Sequence, residues 1–176
     1  MIDWPKEIAI LTYVKDEIFK IDSDNLWRHH LPKVAVSSEQ LHAAASAIGH
    51  PLDPSYTAFL RHANGWTAFY QNVDLFGTNE LLGGELMDRA MSALSAMAHE
   101  ASSSAGVRQD ELLPIAVSSS DLDLFVMMRP GTQAPGTIIW FAGMEVERFP
   151  NFDEFFLAMA DYNRLDYQNL QRDVSD

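Results

Sequence analysis

The side chains best suited to metal binding or proton transfer near neutral pH are the six histidines, His29, His30, His42, His50, His62 and His99. A helical zinc site of the His-Glu-x-x-His kind needs two of them four residues apart, and no pair has that spacing. Cysteine is absent, which removes thiolate nucleophiles, thiolate metal sites and disulfides. The serine runs 37–38, 102–104 and 118–120 lie in no Gly-x-Ser-x-Gly elbow, and Gly83-Gly84 belongs to no phosphate-binding loop. Asp121 and Asp123 are two apart, so a strand would turn both carboxylates to one side, and paired carboxylates can serve acid–base work. Their alternation with Leu122 and Leu124 reads more simply as the polar and apolar faces of a half-buried strand. The sequence therefore predicts no catalytic residue, no metal and no cofactor.

The elements that would carry these residues can be read from caps and periodicity. Pro5 suits a first helical turn, and Ile8, Leu11, Ile18 and Phe19 follow at roughly helical spacing, with an end near Asp22–Asn25. Ser37 and Gln40 form a capping box for a second helix whose apolar positions are Leu41, Ala44, Ala45 and Ile48, stopped by Gly49. Asp53 and Pro54 open a third, with Tyr56, Phe59, Leu60 and Ala63 on its buried face and Asn64-Gly65 as its stop. The stretch "WTAFYQNVDLFG" is rich in aromatic and β-branched residues and predicts one or two short strands. A helix is expected over Glu85–Ala101, of a composition suited to covering a core. Strands follow at Leu112–Val117, Leu122–Met128 and Thr137–Ala142, and "GMEVERF" pairs back through a turn at Gly143. Asn151 and Glu154 cap a last helix with Phe152, Phe155, Phe156 and Met159 inward. Short connections favour antiparallel pairing. The expected class is α+β, with a mostly antiparallel sheet flanked by helices in one domain over residues 1–176.

In this order the motifs resemble the SUKH superfamily, which takes in bacterial toxin-immunity proteins and fungal cell-wall assembly regulators. The stretch "LDPSYTAFLRHANGW" is similar to its signature through Leu52, Pro54, Tyr56, Phe59, Leu60, Asn64 and Gly65, with Asp53 intervening between the leucine and proline. "DLFGTNEL", "LLPIAVSSSDLDLFVMM" and "VERFPNFDEFFLAM" resemble its later strands and closing helix. The likeness runs from about Ser37 to Asp161, with Glu85–Val107 as an insertion and both ends of the chain as extensions. It implies a binding module in place of an enzyme: an immunity protein that occludes a cognate toxin such as a nuclease, or alternatively a regulatory scaffold.

Charge bears on the partner. Twelve Lys and Arg against 25 Asp and Glu leave a formal −13. Such a surface repels phosphate backbones, and no cluster of cations exists to replace condensed counterions, so nucleic acid is disfavoured. A basic protein partner, such as a toxin domain, would be drawn in. Candidate contacts, chosen for charge and strand position as exposed acids around the sheet, are Asp74, Glu80, Asp121, Asp123 and Glu145. The start of the chain does not read as a signal peptide and no apolar run is long enough to span a bilayer, so a cytoplasmic location is expected.

Overall fold

The computed structural model describes residues 2–97, 99, 103 and 105–175. Local signals set the helix ends. Helix α1 (Trp4–Ile21) starts at Asp3, whose carboxylate accepts from the Lys6 backbone N–H, and it buries Trp4, Leu11, Lys15 and Ile18 in one stripe. Helix α2 (Ser38–Ile48) has both bonds of the Ser37–Gln40 capping box and ends on Gly49 at φ +79°. Helix α3 (Pro54–Leu60) is capped by Asp53, which accepts from the Tyr56 N–H at 3.0 Å. Phe19 departs from its expected inward position, being 56% exposed and stacked on His29.

Strands β1 (Trp66–Tyr70) and β2 (Val73–Leu75) are followed by helices α4 (Thr78–Leu81) and α5 (Glu85–Ala96). After a 3-10 turn at Gln109–Glu111 come β3 (Leu112–Ser118), β4 (Asp123–Met128), β5 (Ile138–Ala142) and β6 (Glu145–Phe149). Helix α6 (Phe152–Ser175) closes the chain, with Asn151 Oδ1 accepting from the Glu154 N–H. The expected helix to Ala101 is observed as far as Ala96, and its last residues lie partly outside the described residues. The six strands form one antiparallel sheet in sequence order. The α+β expectation and its antiparallel pairing hold.

Sheet register decides which residues share a face, because directly opposed residues point the same way. Phe125 pairs with Trp140 and Ala116, and this face meets α6 through Phe155. Leu124 pairs with Phe141 and Val117 on the other face, which α5 covers with Ala90 and Leu94. Both faces of β4 are therefore buried from Leu124 to Met128. That corrects the half-buried strand expected around Asp121: the strand begins only at Asp123, and Leu122 is 71% exposed. On the α6 side an aromatic cluster joins the helices. Trp4 lies 5.4 Å from Phe59 and 5.1 Å from Phe156, and Tyr56 stacks on Phe152 at 4.7 Å.

The punctuated stretch after α3 has a structural explanation. The helix stops at Leu60, and Gly65 alone of the Asn64-Gly65 pair takes positive φ, at +85°. Asn64 is buried; its Oδ1 accepts from the Thr78 N–H at 2.7 Å, and its Nδ2 donates to the Thr78 hydroxyl. A Cβ on Gly77 would stand 2.1 Å from Asn64 O, so two backbones touch here and only glycine fits. Tyr56 donates its hydroxyl to Phe76 O at 2.6 Å, and Trp66 donates Nε1–H to His30 O at 2.8 Å. Tyr56 and Asn64 thus tie α3 and its stop to the β2–α4 corner, while Leu60 O, Gly65 O and Trp66 Nε1 bond the α1–α2 connection.

Candidate partner-binding site

Three hairpin turns, at 71–72, 119–122 and 143–144, come together at one end of the sheet because the strands run in a simple meander. The α1–α2 connection crosses the same end. Arg28 pins it there, donating to Asn72 O at 3.1 Å, to Ser119 Oγ at 2.9 Å and to Asp74 Oδ1 at 2.9 Å. Asn72 in turn donates to Ser120 Oγ, and the Leu122 side chain packs near Gly143. A strip results in which Leu26, Leu122 and Met144 stand half to two-thirds or more exposed, with the exposed Asp121 next to Leu122 in the chain and the exposed Asp24 two residues before Leu26.

The five acids named from sequence divide sharply. Asp121 is exposed, its Oδ2 accepting from Ser120 Oγ and its N–H donating to Ser118 Oγ. Asp123 is half-buried at the start of β4 and accepts from Trp140 Nε1 at 2.7 Å. Burial pushes its carboxyl above the usual range, the Trp140 donor opposes this, and the negative charge of Asp121 adds to the rise. Glu145 sits at the start of β6 and binds Arg148 through both oxygens. These three share the turn end of the sheet.

Asp74 and Glu80 are not the exposed acids expected. Asp74 is only 5% exposed, because its Oδ1 accepts from Ala68 N at 2.7 Å where β1 bulges, with Ala68 at φ +52°. Arg28 neutralises it from outside. Glu80 caps α4 by accepting from the Gly77 N–H at 2.8 Å and pairs with Lys33 at 2.6 Å. Both carboxylates satisfy backbone donors that the turns leave open. The apolar part of the strip escaped sequence reading: Leu122 looked like the apolar face of a strand, and Leu26 lay beyond the expected end of the first helix with no role assigned. A signal was present in the flanking Ser and Asp residues, which mark Leu122 as a turn position.

This strip can make contacts; its polar groups are not arranged for bond chemistry. The hydroxyls of Ser118, Ser119 and Ser120 serve turn hydrogen bonds, and none is bonded to a histidine. His29 pairs with Asp16 at 2.9 Å under the Phe19 ring. Among the described residues no three His, Asp or Glu side chains are grouped to hold a metal ion.

A fold of this order, with the Tyr56, Asn64, Gly65 and Gly77 contacts at its corner, meets its decisive comparison in the SMI1/KNR4 family (SUKH-1), whose family model matches residues 35–158. The chain belongs to that family. Comparison with curated proteins returns no match. Membership makes this an immunity-type or SMI1/KNR4-like protein, of a family that is generally non-catalytic. The SUKH-1 stretch begins just before α2 and ends inside α6, so α1 lies outside it. Trp4 and Leu11 of α1 nevertheless belong to the same core as the SUKH-1 elements. No helix among the described residues is long and apolar enough to cross a membrane.

Proposed function

We propose that this SUKH-1 protein is a non-catalytic immunity protein that neutralises a cognate toxin domain by covering its cleft. The single observation that carries this reading is the strip at the turn end, where Leu26, Leu122 and Met144 are exposed, with Asp24 and Asp121 near Leu26 and Leu122 in a chain of net charge −13. Interfaces draw most of their affinity from a few apolar anchors, while surrounding charge selects the partner and speeds encounter. A basic cleft, such as a nuclease uses to hold phosphates, is the complement of this strip. Asp121, Asp123 and Glu145 supply the facing carboxylates, whereas Asp74 and Glu80 stay with their internal partners.

The test is co-production with the toxin domain encoded beside it, scored by cell survival and by the dissociation constant of the purified pair. Wild-type protein is expected to protect cells and to form a one-to-one complex. The double variant Asp121→Lys, Leu122→Asp changes two exposed side chains and should weaken the complex at least about tenfold without altering stability. Absence of any complex with the neighbouring toxin would reject the immunity reading. A complex indifferent to the double variant would move the interface elsewhere.

A further inference from the structure

At the other end of the sheet, the α2–α3 and β4–β5 connections close over a hollow of about 300 Å3. Leu113, Met127 and Met128 line it from the sheet. Pro51, Pro130 and Pro135 line it from the connections and Pro54 from the start of α3, and their fixed φ angles hold its shape without an occupant. Walls of this kind suit a flat ring, since methionine sulfur makes favourable contact with aromatic edges and adapts to their outline.

The polar atoms are few and uneven. Asp53 spends Oδ1 on the α3 cap; Oδ2 lies 2.7 Å from the point where a Cβ on Gly136 would stand, and it accepts no hydrogen bond among the described residues. His50 Nδ1 is 2.8 Å from Pro51 O, and a carbonyl only accepts, so Nδ1 holds the proton and Nε2 of the neutral ring is a lone pair. That Nε2 is covered and has no partner. Arg129 lines the hollow as well, but its Nε and Nη1 donate to Leu112 O and Ile48 O. The Tyr56 hydroxyl proton is committed to Phe76 O. The open side-chain acceptors are thus Asp53 Oδ2 and His50 Nε2, beside the Nη2 donor that Arg129 keeps, and the formal charges of Asp53 and Arg129 are opposite. An occupant gains most by bringing an apolar ring and one donor, with no net charge.

We infer that this hollow binds a planar aromatic molecule carrying one N–H or O–H donor, of the indole or phenol class, with the donor meeting Asp53 Oδ2. The site lies apart from the strip around Asp121 and does not depend on the immunity reading. Binding is followed on the intact 176-residue protein by amide NMR shifts during titration with indole and, separately, with 1-methylindole, which lacks the donor. Indole should move the amides of Asp53, Met127, Met128 and Gly136 and bind about three- to tenfold more tightly than 1-methylindole, the value of one hydrogen bond. Asp53→Asn keeps the α3 cap, because asparagine caps as well as aspartate, but presents an amide in place of the carboxylate oxygen. It should bring the two affinities together. Leu52→Trp, at the half-exposed margin of the hollow, should abolish both. A titration with N-acetyltryptophan amide tells a chain-borne ring from a free one: it binds if the natural occupant is a side chain and fails if the site admits only a small molecule. Equal affinity for indole and 1-methylindole in the wild type, or shifts that avoid these four amides, would overturn the assignment.

Discussion

Among single residues, the acids of this chain are mostly occupied. Asp74 closes a bulge, Glu80 caps a short helix, and Asp22 accepts the N–H groups of Leu26 and Trp27. The least contented charge is a base. Lys15 is 5% exposed within α1, and burial pulls its pKa down to about 8, with Asp166 opposing the shift and Arg28 adding to it. An unfolded lysine keeps its proton to about 10.5. Between about 8 and 10.5 the unfolded chain binds more protons, so Lys15 makes stability rise with pH across that window, and below it the folded state bears the full cost of the buried charge. Lys15→Met is therefore expected to stabilise the protein by about 1–3 kcal/mol at pH 7, a gain that shrinks as pH approaches 10. Urea unfolding of both proteins at pH 7 and pH 10 measures this. A variant that loses stability at pH 7 would mean that attraction to Asp166 outweighs desolvation.

Among elements, α5 has the least obvious task and the largest consequence. The sheet presents Leu124, Val126 and Phe141 on the face away from α6, and all three are fully buried. Ala90 and Leu94 of α5 cover that face while Arg89 and Met91 stay outward. Leu94→Ala removes a fully buried side chain from a contact that little else can refill, so a loss of about 3 kcal/mol is expected in urea unfolding. A loss under about 1 kcal/mol would show that the helix adds little to the core. The caps of α2, α3 and α6 were legible from sequence because each uses a side chain within three residues. The burial of β4 on both faces was not, since it depends on a helix some 30 residues earlier in the chain folding back over it.

For the whole molecule, net charge acts at distances that no single contact reaches. With −13 on 176 residues, approach of a basic partner is steered by a field that salt screens, the screening length falling from about 30 Å at 0.01 M to about 10 Å at 0.1 M. Association with such a partner should slow at least about tenfold between those ionic strengths, with dissociation much less affected. Stopped-flow mixing resolves the two rates. An association rate indifferent to salt would mean that the acidity serves solubility alone.

What the sequence determined by itself was local: helix starts and stops, strand positions, and the signature that ties α3 to its corner. Hydrogen bonds and backbone preferences of that kind span a few residues, so they are written in neighbouring letters. The candidate site was legible only in part. Asp121 could be placed at a surface from its charge and its expected polar strand face, but Asp74 looked as available and is enclosed by Ala68 and Arg28, the latter 46 residues away in the chain. The strip of Leu26, Leu122 and Met144 comes from three separate segments, and the Asp53 hollow from two connections joined across the sheet. Tertiary structure decided both, because exposure and shared surface depend on which distant segments cover a residue, and that is settled only when the sheet and helices pack.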